Sequence, residues 1–179
     1  MKKYFILTIL GIVLIAAFVV ATKNNKIEET RANPDFLRIH IRANSNNEED
    51  QNVKLKVKEK VVEFLSPKLA SCTTQQESKA VAIKHLNEIT EIANKTLKEN
   101  GFNYSCNAQI RAEEFPTRSY GNITLENGVY DALILELGSG SGNNWWCVMF
   151  PPLCFIGEEN ENSNIVYKSK IWDIIKKYS

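Results

Sequence analysis

The sequence has few of the residues that acid-base catalysis and metal binding require. Its 179 residues include two histidines, and its four cysteines form no CxxC pair. A zinc site needs clustered Cys, His or acidic ligands, and general acid-base catalysis needs His or paired carboxylates gathered in a cleft. Glu113 and Glu114 are no such pair, because neighbouring side chains of an extended segment point to opposite sides. We therefore expect no metal, no cofactor and no enzyme activity.

A large net charge is also absent. Lys and Arg total 22 and Asp and Glu total 21, so the formal net charge is +1. Domains that bind nucleic acid usually carry a strongly basic surface. The charge balance therefore argues against nucleic acid as a partner.

The glycine-rich run Gly138–Gly142 lacks the features of two glycine motifs. A P-loop continues with Lys and then Ser or Thr and opens a helix, and neither feature follows here. A nucleophile elbow has serine at the centre of G-x-S-x-G, where this run has Gly140. We interpret the run as a flexible hinge.

An uncharged apolar block runs from Tyr4 to Ala21 behind Lys2 and Lys3. The block fits either a cleavable signal peptide or an uncleaved membrane anchor, since 18 helical residues reach about 27 Å. Both alternatives stay open. Both predict that residues 1–21 deliver the rest of the chain across a membrane, which leaves it secreted or membrane-tethered.

Composition divides the rest of the chain into three parts. Residues 22–35 are a polar tether, residues 36–157 form one globular domain, and residues 158–179 are an acidic linker followed by a short C-terminal helix. A domain of this length can bury a single hydrophobic core.

Hydrophobic periodicity predicts the elements of the domain. A first strand has Leu37, Ile39 and Ile41 on its apolar face and Arg38, His40 and Arg42 on the other. A helix with a Ser45 to Glu48 capping box follows and stops before Pro67, and a second helix runs from Thr74 to Gly101. The next strand covers residues 102–111, and Asn127-Gly128 predicts a hairpin whose second arm, Val129–Leu137, is a central strand.

This order predicts an α+β fold. A mainly antiparallel sheet would carry a helical pair on one face. A disulfide-closed aromatic loop and the short C-terminal helix would complete it.

All four cysteines follow the apolar block, so they would lie in an exported compartment that permits disulfides. Cys147 and Cys154 are close in sequence, and we predict a disulfide between them. Cys106 occupies an apolar strand position and fits a small buried residue. The redox states of Cys72 and Cys106 stay open.

The segment Trp145–Phe155 holds four aromatic residues among eleven and shows no strand or helix period over most of its length. Some of its side chains can form a local core, and the others an exposed surface for a protein partner. The candidate partner-binding residues of this segment are Trp145, Trp146, Phe150, Pro151 and Pro152.

Four further residues are candidate partner contacts. Arg118 and Tyr120 belong to the loop after the second predicted strand, and His40 and Arg42 lie on the polar face of the first strand. That face can bind an anion, although a partly covered polar sheet face explains it as well.

Three segments in this order resemble the stage II sporulation protein R family of endospore-forming bacteria. They are LRIHIRANSNNEEDQNVKLKVKEKV, FPTRSYG, and the glycine-rich run that leads into NWWCVMFPPLCF. The resemblance extends from about Leu37 to Phe155, which is roughly two thirds of the chain.

The resemblance implies a signal and not an enzyme. A protein of this family is made in the forespore and exported into the space between the forespore and mother-cell membranes. There it activates a membrane aspartic protease, stage II sporulation protein GA, which processes the precursor of the transcription factor sigma-E. Cys72, Cys106 and the tail from Glu158 lie outside the matched segments, so the resemblance implies no role for them.

A cell-envelope module that binds or trims wall glycan is the alternative from another class. Trp145 and Trp146 would then serve as stacking platforms for sugar rings. Retention on purified cell wall would favour this alternative, whereas restored precursor processing in a null strain would favour the signal.

Overall fold

The structure is a computed structural model that describes residues 35–120 and 123–151. The elements within these residues are β1 (Leu37–Arg42), α1 (Glu48–Leu69), α2 (Gln75–Lys84), α3 (Leu86–Glu99), β2 (Cys106–Phe115), β3 (Arg118–Tyr120), β4 (Ile123–Leu125), β5 (Gly128–Leu137) and β6 (Asn144–Phe150). None of the helices in these residues is long and apolar enough to span a membrane. The predicted leader, the tether up to residue 34, the acidic linker and the C-terminal helix lie outside the described residues.

Four strands form one sheet in the order β2-β5-β1-β6. The β2–β5 and β1–β6 pairs are antiparallel, whereas β1 and β5 run parallel. The α+β class and the central position of β5 are confirmed, but the sheet is mixed. The parallel pair is possible because a long connection, which includes the three helices, separates β1 from β5 in the chain.

The helices cover one face of the sheet and form the main core with it. Alternate residues of β1 and β5 point to this side, as the period of two in the sequence predicts. The main core includes the buried residues Leu37, Ile39, Ile41, Val53, Val57, Val61, Leu65, Ile89, Ala93, Leu97, Leu133, Leu135 and Leu137. Each such Leu, Ile or Val contributes about 1.5–3 kcal/mol when fully buried, so this layer is the main source of stability.

The start and the end of α1 differ from the prediction. Ser45 does not cap the helix, because its hydroxyl donates to Asp50 Oδ2 at 2.6 Å and accepts from the Asn47 N–H at 3.1 Å. The helix begins at Glu48 after the N-cap residue Asn47, and it continues through Pro67 to Leu69. Three consecutive acidic residues in its first turn, Glu48 to Asp50, favour this start through the helix dipole.

The predicted second helix is two helices that meet at His85. Its N-terminus is confirmed, since the Thr74 hydroxyl accepts from the Glu77 N–H at 3.2 Å and Glu77 Oε2 accepts from the Thr73 N–H at 2.7 Å. His85 has φ −104° and ψ 16°, so it leaves the helical conformation and ends α2. The expected helical pair is therefore a layer of three helices.

The predicted hairpin at Asn127-Gly128 is wrong. β4 pairs with β3, whereas β5 pairs with β2 along its whole length, from Gly128 opposite Phe115 to Leu137 opposite Cys106. Asn127 therefore connects two different sheets, and its N–H donates to Thr117 Oγ1 at 3.0 Å. The local turn signal was outweighed by ten residue pairs of β2 with β5.

The aromatic segment is a strand and not a loop over Asn144–Phe150. Residues 144–148 and 150 pair with β1, with an irregularity next to Leu37 and Arg38. No disulfide joins two of the described cysteines, and Cys72 and Cys106 are free buried thiols. Cys154 lies outside the described residues, so the Cys147–Cys154 bond and the disulfide-closed loop stay predictions.

The glycine-rich run is fixed and is not a hinge. The hydroxyls of Ser139 and Ser141 donate to the Asn44 carbonyl at 2.6 and 2.8 Å, and the Gly142 N–H donates to the Ala43 carbonyl at 2.8 Å. A Cβ atom at Gly142 would lie 2.2 Å from the Ser45 carbonyl oxygen. Glycine is therefore needed at this position for close backbone approach.

We expect Gly142→Ala to destabilise the purified protein by about 1–3 kcal/mol, because the Ser45 backbone must move. The matched control is Gly101→Ala, where φ is +85° but a Cβ meets no atom within 4 Å. That variant loses only about 1–2 kcal/mol from the left-handed backbone. Urea unfolding measures both, and a smaller loss at Gly142 than at Gly101 would contradict the packing argument.

Candidate functional site

The sheet face opposite the helices carries a second cluster of buried side chains. We call it the second-face cluster, and its apolar members are Phe36, Phe115, Leu125, Tyr130, Ala132, Ile134 and Val148, with Tyr120 and Trp146 packed against them. Arg38 and His40 of β1 lie within it, and both are fully buried. Two buried titratable side chains inside an aromatic cluster are unusual, because burial of their charged forms costs free energy unless it is compensated.

Arg38 is held by aromatic rings and two hydrogen bonds. Its guanidinium carbon lies 4.3 Å from the ring centre of Phe115 and 5.0 Å from that of Tyr130. Nη2 donates to the Tyr120 hydroxyl at 2.8 Å and Nε to the Cys147 carbonyl at 3.4 Å, while Nη1 is buried without a hydrogen bond. No carboxylate among the described residues pairs with it. Burial lowers the pKa of Arg38, and the contact with Tyr120 opposes this shift.

His40 lies between the aromatic cluster and the charged groups beside it. Its ring stacks on Trp146 at 3.8 Å between centroids and meets Phe115 edge-on at 5.7 Å. Nδ1 is 3.3 Å from Glu113 Oε1, although neither ring nitrogen has normal hydrogen-bond geometry. Burial lowers the pKa of His40, while the neighbouring Asn144 side chain and the Glu113 carboxylate oppose the shift.

A network of two arginines and two glutamates borders the cluster, and we call it the charged rim. Arg42 contacts Glu113 and also Glu136, the latter at 3.0 Å. Arg111 bonds to Glu113 and to Glu136 at 3.1 Å each. The side chains of Arg111 and Arg42 are 36% and 27% exposed, so the rim reaches the surface.

Two of the segments that carry the family resemblance meet at one end of the sheet. Asn44 accepts a hydrogen bond from the Ser139 N–H of the glycine-rich run at 3.0 Å and donates one to Asp50 at 3.0 Å. Asp50 also accepts hydrogen bonds from Ser45 and Tyr104. Although burial alone would raise the pKa of Asp50, these hydrogen bonds lower it. The Tyr104 hydroxyl has a raised pKa because it is buried and donates to this carboxylate. The hydrogen bonds around Asn44 and Asp50 therefore hold the loop that leads into β6.

Comparison with known proteins identifies the family. A family model described as stage II sporulation protein R (spore_II_R) matches residues 33–160. The chain is also 34% identical over 166 residues to stage II sporulation protein R of Bacillus subtilis, which covers 89% of this chain and 74% of that relative. The chain belongs to the stage II sporulation protein R family. Membership indicates a role in sporulation, and no solved structure matches the chain.

The aromatic candidates for partner binding in this family member differ in exposure. Phe150 is buried in the main core and Pro151 is also buried, so this conformation does not offer them to a partner. Trp145 and Trp146 are half-buried. One face of Trp146 is occupied by His40, which leaves less ring surface for the stacking that the wall-glycan alternative requires. Pro152 lies outside the described residues.

The other candidates lie on the second-face side. Arg118 is exposed on β3, and Tyr120 is half-buried where it contacts Arg38. His40 and Tyr120 thus both pack in the second-face cluster, and Arg42 belongs to the charged rim beside it. The structure brings these three together with Trp146, whereas Trp145 packs against the main core on the other face.

Sequence reasoning missed the roles of Arg38, Arg111 and Glu136. The alternation in β1 predicted a polar face for Arg38, but it could not show that an aromatic cluster buries this face. Arg111 and Glu136 lie on separate strands, and only the β2–β5 register brings them together. No group of three or more His, Cys, Asp or Glu that could hold a metal occurs in the described parts of the chain.

Replacing Arg38 separates its charge from its volume. We expect Arg38→Ala to cost about 2–5 kcal/mol because it leaves a cavity. Arg38→Met keeps much of the volume and removes a buried charge without a carboxylate partner, so its stability should stay within about 1 kcal/mol of wild type or rise. Urea unfolding measures the stability of both variants. An equal loss of unfolding free energy in Arg38→Ala and Arg38→Met would show that the charge itself stabilises the cluster.

His40 should make stability depend on pH. Its folded pKa lies below the ordinary value of 6.5, so the unfolded chain binds the proton first as pH falls. The contribution of neutral His40 is present above about pH 6.5 and is lost as pH falls toward the folded pKa. His40→Phe should flatten the fall in unfolding free energy in this window. An unchanged slope in the variant would contradict the assignment.

Proposed function

We propose that this chain is an exported sporulation signal. It is made in the forespore and reaches the space between the forespore and mother-cell membranes. There it activates a membrane aspartic protease, stage II sporulation protein GA, and the protease processes the precursor of sigma-E.

The observation that carries this proposal is the family match over residues 33–160, which contains every described element. The apolar block Tyr4–Ala21 behind two lysines supports export, because such a block engages the secretion machinery. A membrane-bound target outside the producing cell would then be accessible to the domain.

The charged rim supports a binding role over a catalytic one. Arg42, Arg111, Glu113 and Glu136 already pair with one another, so their geometry is fixed before any partner arrives. Such preorganisation lowers the ordering cost of binding. General acid-base catalysis instead needs a group that is available to exchange protons with a substrate.

The surface that we propose for the protease includes the exposed side of this rim and β3. Arg42 and Arg111 are partly exposed there, and Arg118 on β3 is exposed. Charged groups at an interface mainly set specificity and the rate of association. Phe150 and Pro151 are buried, and Phe150 belongs to the main core on the other face, so we do not include them in this surface.

Export and activation can be tested together in a non-sporulating bacterial host. Co-expression of the full chain, the protease and the sigma-E precursor should give processed sigma-E on an immunoblot. Deleting residues 1–21 should abolish processing, because the domain then stays on the wrong side of the membrane. The control is the same deletion with an unrelated cleavable signal peptide in its place, which should restore processing.

Two results would contradict the proposal. Full processing by the leaderless chain would show that export is not needed. Absence of processing with the full chain, despite its secretion, would show that it does not activate this protease. Retention of the exported protein on purified cell wall would instead support the glycan-binding alternative.

A further inference from the structure

β2 is an edge strand with a continuous register. Its ten residues pair with β5 without a break from Cys106 to Phe115, and no described strand pairs with its other side. It contains no Pro or Lys and has no bulge, which are three common devices by which proteins block pairing at a sheet edge. Its charged residues are Arg111, Glu113 and Glu114, all in its second half.

The backbone direction along this edge follows from one hydrogen bond. The Cys106 N–H donates to the Asn94 side chain of α3 at 2.7 Å, so it points away from β5. Backbone groups alternate in direction along a strand, and the β2–β5 register is continuous. The N–H and C=O groups of Ala108, Ile110, Ala112 and Glu114 therefore point outward. Asn94 covers only the first position of the row.

The side chains of this row share the helix-side face of β2. Ala108 and Ile110 are half-buried, and Ala112 and Glu114 are exposed. Glu114 forms no ion pair among the described residues, whereas Glu113 on the opposite face belongs to the charged rim. The edge thus offers a short apolar strip that ends in an unpaired carboxylate.

Helix α3 argues against a second copy of this chain as the occupant. It packs on β2 through Ile89, Ala93 and Leu97 of the main core. Antiparallel pairing of two β2 edges would place two α3 helices side by side on the same face. Adjacent strands are about 4.8 Å apart, whereas packed helix axes need about 8–10 Å. A single extended segment has no such clash.

We propose that the Ala108–Glu114 edge of β2 binds an extended segment of a partner protein as an added strand. The segment carries small or apolar side chains next to Ile110 and Ala112, and a Lys or Arg next to Glu114. Main-chain hydrogen bonds supply the affinity and these side chains supply the specificity. The inference rests on the proposed function, since it takes the protease as the partner.

The test uses the full chain in the co-expression assay. Ala112→Pro removes one outward N–H, and proline is tolerated in edge strands where the N–H faces outward. Processing should fall about tenfold or more while the melting temperature of the purified protein changes little. Ala112→Ser keeps the N–H and is the matched control, which should retain most of the processing.

Two further variants keep the test decisive if Ala112→Pro fails to fold. Glu114→Lys reverses the charge at an exposed position and should weaken processing several-fold through repulsion of the basic side chain. A photo-crosslinking residue in place of Ala112 should capture the protease. The same residue in place of Lys95, which is 76% exposed on α3, should not.

The outcomes separate the two proposals. The edge inference alone is overturned if folded Ala112→Pro and Glu114→Lys support as much processing as wild type and no specific crosslink forms at Ala112. Capture of the protease at Ala112 without any processing by wild type supports the edge and overturns activation. Absence of both processing and crosslink overturns both.

Discussion

The structure depends on the alternation of side chains along β1. This strand lies between β5 and β6, and its apolar residues enter the main core while Arg38 and His40 enter the second-face cluster. A shift of one residue would exchange the two sets. Arg38 would then face Leu, Ile and Val side chains that offer neither rings nor hydrogen-bond acceptors. The aromatic residues of β2, β5 and β6 therefore fix the register of the central strand as firmly as its apolar residues do.

The two faces of the sheet differ in their chemistry. The helix side supplies stability through aliphatic burial, while the second face holds Arg38 and His40 among aromatic rings and continues into the charged rim. Glu113 links the two parts, since it contacts His40 and both arginines of the rim. A change in the charge of His40 would thus alter its electrostatic interaction with Glu113 and, through Glu113, with the partly exposed arginines of the rim. This coupling gives the second face properties that a purely apolar layer would lack.

The sequence predicted β1, β5, the capping of α2 and the family, because these depend on local period or on long matching segments. It misjudged Asn127-Gly128 and the aromatic segment, because pairing across the sheet outweighed their local signals. Arg38 was predicted on the correct face, yet its burial depends on Phe115, Tyr120 and Tyr130, which come from three later segments. The charged rim also needed the β2–β5 register. The partner of Cys147 and the leader concern residues that the structure does not describe.

The parallel pairing of β1 with β5 has a consequence for the time at which the domain can fold. β1 ends at Arg42, but its two partners begin at Gly128 and Asn144. A chain that is synthesised or threaded through a membrane from its N-terminus must therefore expose β1 long before either partner arrives. Contacts between residues so far apart in the sequence form late, and domains that depend on them fold slowly. The sheet closes only when nearly the whole domain has emerged, and a chain that stalls before β5 has emerged presents neither the edge nor the rim.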